Sequence, residues 1–134
     1  MNYEKTETMN QEKIKSFKDL NVWREGHQLA IMIYKATRMF PKEEQFGLTN
    51  QMRRAAVSVT SNIAEGFSRN SYKEKAHFYS TALGSLTELQ AQTLLAHDVG
   101  FLPSGEFFAI ENKSITVNKL CNGLIKKTRE FSES

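Results

Sequence analysis

The chain has 134 residues, of which 40% are hydrophobic and 25% are charged, and its formal net charge at pH 7 is +3. This length suits one domain with its own hydrophobic core and is short for two. No stretch approaches the roughly 18 to 20 consecutive apolar residues of a membrane span, and the polar start from Met1 to Lys13 is unlike a signal peptide. We therefore expect a cytoplasmic protein without a membrane partner. The mild positive charge permits an acidic partner without requiring one.

The N-terminal tail and the single cysteine can both be interpreted from the sequence. Residues 1–16 mix glutamates and lysines with little apolar periodicity, which predicts a flexible N-terminal tail and leaves residues 17–134 for the domain. Cys121 is the only cysteine, so an intrachain disulfide is excluded. It falls within an apolar stripe, and we expect it to be a small core residue.

The first half of the domain reads as two helices. Apolar residues recur at helical spacing from Asn21 to Phe40, where Pro41 prevents a simple continuation. Gly47 then permits a bend, and the same spacing predicts a second helix from about Leu48 to Phe67.

The second half has clearer boundary signals. Ser71 and Glu74 form a Ser-x-x-Glu pattern, which predicts a capping box at the start of the third helix. Gly100 is placed to end that helix, because glycine tolerates the left-handed conformation found after many helix C-termini. Pro103 then precedes the fourth helix.

Four helices with short connections predict an all-α, antiparallel up-down-up-down four-helix bundle. The apolar stripes of the third and fourth helices are wider than one bundle core requires, which predicts a second buried surface between subunits. The additional apolar residues are Leu83, Leu94, Leu95, Ile115, Leu120 and Ile125.

Several sequence blocks resemble a known family. They are Phe17-Lys18-Asp19-Leu20-x-Val22-Trp23, Phe40-Pro41-x-Glu43-Glu44-x-Phe46-Gly47-Leu48-x-x-Gln51-Met52-Arg53-Arg54-Ala55-Ala56, Ser58-Val59-x-x-Asn62-Ile63-Ala64-Glu65-Gly66 and Gly84-Ser85-x-x-Glu88-Leu89. Together these blocks resemble the 23S rRNA-intervening sequence protein family, also called four helix bundle proteins, over roughly residues 17–127.

The resemblance implies an assembly and a class of partner. Members look like small bundles that form homopentameric barrels. A related branch serves as the accessory variability determinant of diversity-generating retroelements, which binds nucleic acid and a reverse transcriptase. The family name records where the genes were first noticed and does not establish an activity.

Polar residues of the second and third helices predict a structural network. In an antiparallel pair that turns near Arg69, the stretch from Gln51 to Ala55 lies beside the stretch from Ser85 to Glu88. We expect a polar network within the bundle or across a subunit contact that fixes register and assembly state. Alternatively, some of these side chains simply face water. The predicted members are Gln51, Arg54, Asn62, Glu65, Ser85 and Glu88.

Catalytic patterns are incomplete. Glu74 and His77 form one Glu-x-x-His step, but a di-metal bundle needs a second such step and further carboxylates. Arg69 and His77 are too far apart in sequence for the Arg-x(4 to 6)-His motif of HEPN-type ribonucleases. There is no phosphate-binding glycine loop or cysteine pair for a metal. We therefore expect a non-enzyme without a metal or cofactor.

Basic residues supply the candidate nucleic-acid contacts, and a ring of subunits would multiply their field. The four tyrosines are not interleaved with these cations along the sequence, so base stacking is not indicated. The leading hypothesis is a nucleic-acid-binding or scaffold protein whose partner is RNA, DNA or a nucleic-acid-processing protein such as a reverse transcriptase. The alternative is a structural or protein-interaction bundle whose charges serve solubility. The candidate contacts are Arg53, Arg54, Arg69, Lys73, Lys75, Lys119, Lys126, Lys127 and Arg129.

Overall fold

Four long helices account for most of residues 14–133, the part of the chain that the computed structural model describes. This part contains no strand, which confirms the predicted all-α class. Short 3-10 helices precede the first two long helices, at Phe17–Asp19 and Lys42–Glu44. The long helices are α1 (Asn21–Thr37), α2 (Leu48–Ser68), α3 (Tyr72–Asp98) and α4 (Ser104–Glu133).

The start of the described chain is anchored by a capping box. The Ser16 hydroxyl accepts a hydrogen bond from the backbone N–H of Lys18, and an Asp19 carboxylate oxygen accepts from the N–H of Ser16 at 3.1 Å. Bonds from the backbone N–H groups of Lys15 and Ser16 hold the pKa of Asp19 below its usual value. Ile14 packs against the core. The predicted tail otherwise lies outside the described residues.

Helix α1 ends at Thr37, earlier than the predicted end at Phe40. The Phe40 N–H bonds to the Thr37 carbonyl in a tight turn, because the residue before Pro41 is disfavoured in the α conformation. The turn directs the Phe40 side chain into the core, where its ring lies 5.7 Å from the ring of Phe101. This contact joins the α1–α2 and α3–α4 connections at one end of the bundle, which we call the Phe101 end.

Ser71 and Gly100 end α3 as predicted, but the predicted capping box forms only in part, because the Glu74 carboxylate contacts the Ser71 hydroxyl instead of the Ser71 backbone N–H. The Ser71 hydroxyl accepts a hydrogen bond from the N–H of Glu74 at 3.1 Å and donates to the Glu74 carboxylate at 3.2 Å. At the other end, Gly100 has φ of 87°, and the Phe101 N–H bonds to the Ala96 carbonyl. This is the Schellman arrangement, in which glycine relieves the steric cost of positive φ.

The helices pack as a bundle in which α2 contacts α1 and α3, and α4 contacts α3 and α1. Leu29 and Ile33 from α1, Met52 and Ile63 from α2 and Leu86 from α3 are among its fully buried residues. Cys121 is also buried, as predicted, and its thiol points toward the Tyr79 carbonyl at 3.5 Å.

Two of the residues assigned by sequence to a second apolar surface lie in the core instead. Leu120 and Ile125 are 4% and 5% exposed, so the core of the single chain already covers them. Leu83 is half-buried against the same core. Leu94, Leu95 and Ile115 remain exposed. The apolar stripe of α4 is therefore accounted for mostly within one chain.

Candidate nucleic-acid interface

Cations from the start of α3 and the end of α4 converge at the end of the bundle opposite Phe101. Tyr72 and Phe131 stack there with ring centroids 5.2 Å apart, and we call this the Tyr72 end. Both rings line a cavity of about 270 Å³ together with Lys75 and Lys127. The fold thus brings together candidate cations that are far apart in sequence.

Lys75 has a structural role at this end. Its ammonium donates to the backbone carbonyl of Phe67 at 2.6 Å and lies 5.3 Å from the Phe67 ring centroid. A cation at this position satisfies a carbonyl that the end of α2 leaves without a helical partner. Burial lowers the pKa of Lys75, since desolvation disfavours the charged form.

Three other candidate cations surround the same end. Lys73 is exposed in the first turn of α3. Arg129 reaches from α4 to α3, where its guanidinium donates to the Ser80 hydroxyl at 3.3 Å. Arg69 follows α2, pairs with Glu65 and lies over the Phe78 ring at 4.5 Å. The Glu65 carboxylate partly neutralises Arg69, which leaves Lys73 and Arg129 as the more accessible positive charges.

The remaining candidate cations lie elsewhere. The Arg53 Nε donates to the Thr37 hydroxyl at 2.8 Å, and its guanidinium lies 4.8 Å from the centre of the Tyr34 ring. Arg54 is exposed and lines a shallow groove with Arg53, nearer the Phe101 end. Lys119 and Lys126 are exposed on α4. The predicted cations therefore form no single surface, because Arg53 and Arg54 are separate from the Tyr72 end.

The predicted polar network is only partly assembled within the chain. Asn62 Nδ2 donates to the Ser58 carbonyl at 2.8 Å and lies 3.1 Å from the Ser58 hydroxyl, which is 2.8 Å from the Ser85 hydroxyl across the α2–α3 contact. Sequence reasoning missed Ser58 as the connecting residue, although it lies one helical turn before Asn62 and opposite Ser85.

The other four predicted members are exposed and do not join this cluster. Glu65 pairs with Arg69, and the Glu88 carboxylate accepts a hydrogen bond from Gln92 on its own helix at 3.0 Å. Gln51 and Arg54 face outward from α2.

An exposed apolar surface lies on the C-terminal half of α3 and the N-terminal half of α4. Leu94 and Ile115 line one groove, and the Phe108 ring lies beside the Phe107 ring at 5.3 Å. Phe108 is 58% exposed, which is high for a phenylalanine. We call this surface the α3–α4 apolar face; its exposed members are Leu94, Phe108 and Ile115.

Cys121 is buried in the core, and His27 and His97 stack on aromatic rings of the same chain. Burial raises the pKa of Cys121 to about 12, so its thiol is protonated and a poor nucleophile at neutral pH. His27 stacks on Trp23 with ring centroids 4.7 Å apart, and His97 stacks on Phe107 at 4.3 Å. Among the described residues, no group of three or more histidine, cysteine, aspartate and glutamate side chains is arranged to hold a metal ion.

None of the described helices is both long enough and apolar enough to cross a membrane.

Comparisons with known proteins identify the family from the sequence and a similar fold from a solved structure. The model of the family described as 23S rRNA-intervening sequence protein matches residues 18–123. A crystal structure of a protein of unknown function, from the S23 ribosomal protein family of Bacteroides thetaiotaomicron, superposes with a TM-score of 0.71. The two chains are 23% identical, and the match covers 78% of this chain and 98% of that one. None of the curated proteins matches this chain.

Proposed function

The chain belongs to the 23S rRNA-intervening sequence protein family, as its sequence blocks indicated, and from this premise we propose that it is a non-enzymatic, self-associating scaffold that binds nucleic acid. The proposal includes a cytoplasmic location and a nucleic-acid-processing protein, such as a reverse transcriptase, as a further partner. Family membership alone does not supply these properties.

One observation carries nucleic-acid binding in this proposal. Lys75 from α3 and Lys127 from α4 line one cavity at the Tyr72 end, although they are far apart in sequence, and Lys73 and Arg129 lie in the neighbouring exposed positions of the same two helices. Phosphate binding requires several cations on one surface, and each contact releases counterions from the nucleic acid. The convergence therefore supports a phosphate-binding surface at this end rather than along the whole molecule.

The proposed architecture is an up-down-up-down bundle that assembles into a homopentamer. Contacts between helices support the up-down order: Gly26 lies near Thr60, Ser58 lies near Ser85, and Lys113 of α4 pairs with Glu25 of α1. The pentamer follows from the family resemblance. The α3–α4 apolar face supports self-association, because exposed apolar clusters frequently mark protein interfaces.

The second candidate function is a structural or protein-interaction bundle without nucleic-acid affinity. The α3–α4 apolar face favours it, since that surface lies away from the Tyr72 end and needs no phosphate partner. In this case the cations of the Tyr72 end would serve solubility, as many exposed charges do.

Salt dependence distinguishes these functions. Binding of generic RNA and DNA should be measurable by fluorescence anisotropy at about 50 mM salt and should weaken steeply toward about 200 mM, because counterion release drives it. Lys73→Gln combined with Arg129→Gln should weaken binding and reduce the salt slope by roughly one for each phosphate that the variant no longer binds. No binding at low salt would remove the nucleic-acid function.

A charge-matched control locates the surface. Arg53→Gln combined with Arg54→Gln removes the same formal charge away from the Tyr72 end. This control should change the affinity and the salt slope less than the Lys73→Gln, Arg129→Gln variant does. An equal loss of affinity in both double variants would indicate a diffuse charge effect and would contradict a localised surface.

A further inference from the structure

An aromatic pair lines the cavity at the Tyr72 end beside Lys75 and Lys127. The Tyr72 and Phe131 rings are stacked with an angle of 26° between their planes. Both nevertheless remain accessible, at 47% and 40% exposure. Sequence reasoning did not find this pair, because it considered the spacing of the tyrosines alone and Phe131 lies at the far end of the chain.

Cations and an opening accompany this pair. Lys75, Lys127 and both rings line the same cavity of about 270 Å³, which is open to solvent. Lys73 follows Tyr72 directly on α3, and Arg129 precedes Phe131 by two residues on α4, where its guanidinium contacts Ser80 of α3. Aromatic rings that bases can stack on, beside cations that can contact the backbone, are the combination that single-strand binding proteins use.

We propose that Tyr72 and Phe131 form a stacking surface for an unpaired base of single-stranded nucleic acid, with Lys73, Lys127 and Arg129 contacting the adjoining phosphates. This inference rests on the proposed nucleic-acid function and names its substrate class. Bases in a duplex are already stacked on their neighbours, so these rings can reach only bases in single strands, loops or ends. The backbone contacts alone would not discriminate between strand states.

The stack also holds two helices together, and the test must distinguish this structural role from base stacking. It holds the last turns of α4 against the first turn of α3, so removal of either ring would loosen this end. Tyr72→Phe retains the ring and the helix contact. Tyr72→Leu and Phe131→Leu retain an apolar contact between the helices but remove one aromatic face.

The first experiment needs no variant. The wild-type protein is titrated against one labelled oligonucleotide as a single strand and again after annealing to its complement, in DNA and RNA versions. The single strand should bind roughly tenfold or more tightly than the duplex at the same salt, because stacking adds to the backbone contacts.

The second experiment uses the variants on the same substrates. Tyr72→Leu and Phe131→Leu should each weaken single-strand binding roughly tenfold and leave duplex binding and the salt slope nearly unchanged. Tyr72→Phe, which keeps the ring, should restore the single-strand affinity that Tyr72→Leu loses. Tyr34→Leu is the control, since the Tyr34 ring is also 40% exposed beside an arginine but lies away from the Tyr72 end.

The outcomes separate this inference from the proposed function. Salt-dependent binding with equal affinity for single strand and duplex, and no effect of the leucine variants, would leave the proposed function standing and overturn the stacking surface. A loss of duplex binding equal to that of single-strand binding in the leucine variants would also overturn it, because it would reveal a purely structural effect. No binding of any nucleic acid would overturn both.

Discussion

At the scale of single residues, Gly66 accounts for the close approach of α2 and α3. A Cβ atom at this position would lie 2.8 Å from Tyr79 Cε1 and 2.9 Å from Phe78 Cβ. The second of these atoms is fixed to the backbone of α3 and cannot move away independently. The absence of a side chain on Gly66 therefore sets the distance between the two helices at the Tyr72 end.

We predict that Gly66→Ala destabilises the protein by about 1 to 3 kcal/mol, because the added methyl group overpacks a tight contact. Gly84→Ala is the matched control within α3. A Cβ there meets nothing within 4 Å, so alanine should stabilise the helix by about 0.5 to 1 kcal/mol. Urea denaturation of both variants measures these changes. A neutral or stabilising Gly66→Ala would show that the helices separate freely at this contact.

At the scale of secondary-structure elements, one polar contact connects α4 to α1. The Lys113 ammonium lies 2.6 Å from a Glu25 carboxylate oxygen and 2.8 Å from the Gln28 amide oxygen. Both charged side chains are less than one third exposed. This contact joins the last helix of the chain to the first.

We predict a coupling free energy of about 0.5 to 1 kcal/mol between Lys113 and Glu25. A partly shielded ion pair stabilises a protein only slightly more than a fully exposed pair does. A double-mutant cycle with Lys113→Met and Glu25→Gln measures this coupling from the free energies of unfolding. The coupling should decrease at high salt, because salt screens the attraction. Additive effects of the two substitutions would contradict the prediction.

The elements differ in how far the sequence predicts them. Local signals predict the ends of α3, because Ser71 and Gly100 act on the backbone within a few residues. The pairing of Lys113 with Glu25 and the stack of Tyr72 on Phe131 depend on the rotation of distant helices about their axes. One sequence does not specify that rotation. This is also why the cations were predicted but their division between two regions was not.

At the scale of the whole molecule, the two ends of the bundle have different surfaces. The Tyr72 end carries cations around an accessible aromatic pair. The α3–α4 apolar face begins near the Phe101 end, where the Phe108 side chain is 58% exposed. This separation would allow self-association and nucleic-acid binding to occur together, because the two surfaces do not compete.

We predict that the protein has a molar mass several times its protomer mass of 15.3 kDa in solution. Leu94→Glu combined with Phe108→Glu should shift it toward the protomer mass, because charges on the α3–α4 apolar face oppose its burial. Light scattering coupled to size-exclusion chromatography measures both values. Ser61→Glu, an exposed substitution on α2, should have no effect. A wild-type mass equal to 15.3 kDa would contradict self-association.

The positions of Ile14 and Phe131 have a consequence for chain connectivity. Both residues line the same cavity, so the segment before the first 3-10 helix lies beside the last turn of α4. A short designed linker between them would close the four helices into a covalent ring without crossing the core. The turn from Gly100 to Pro103 could then be opened to create new termini. Such a circularly permuted protein would retain the contacts among the four helices.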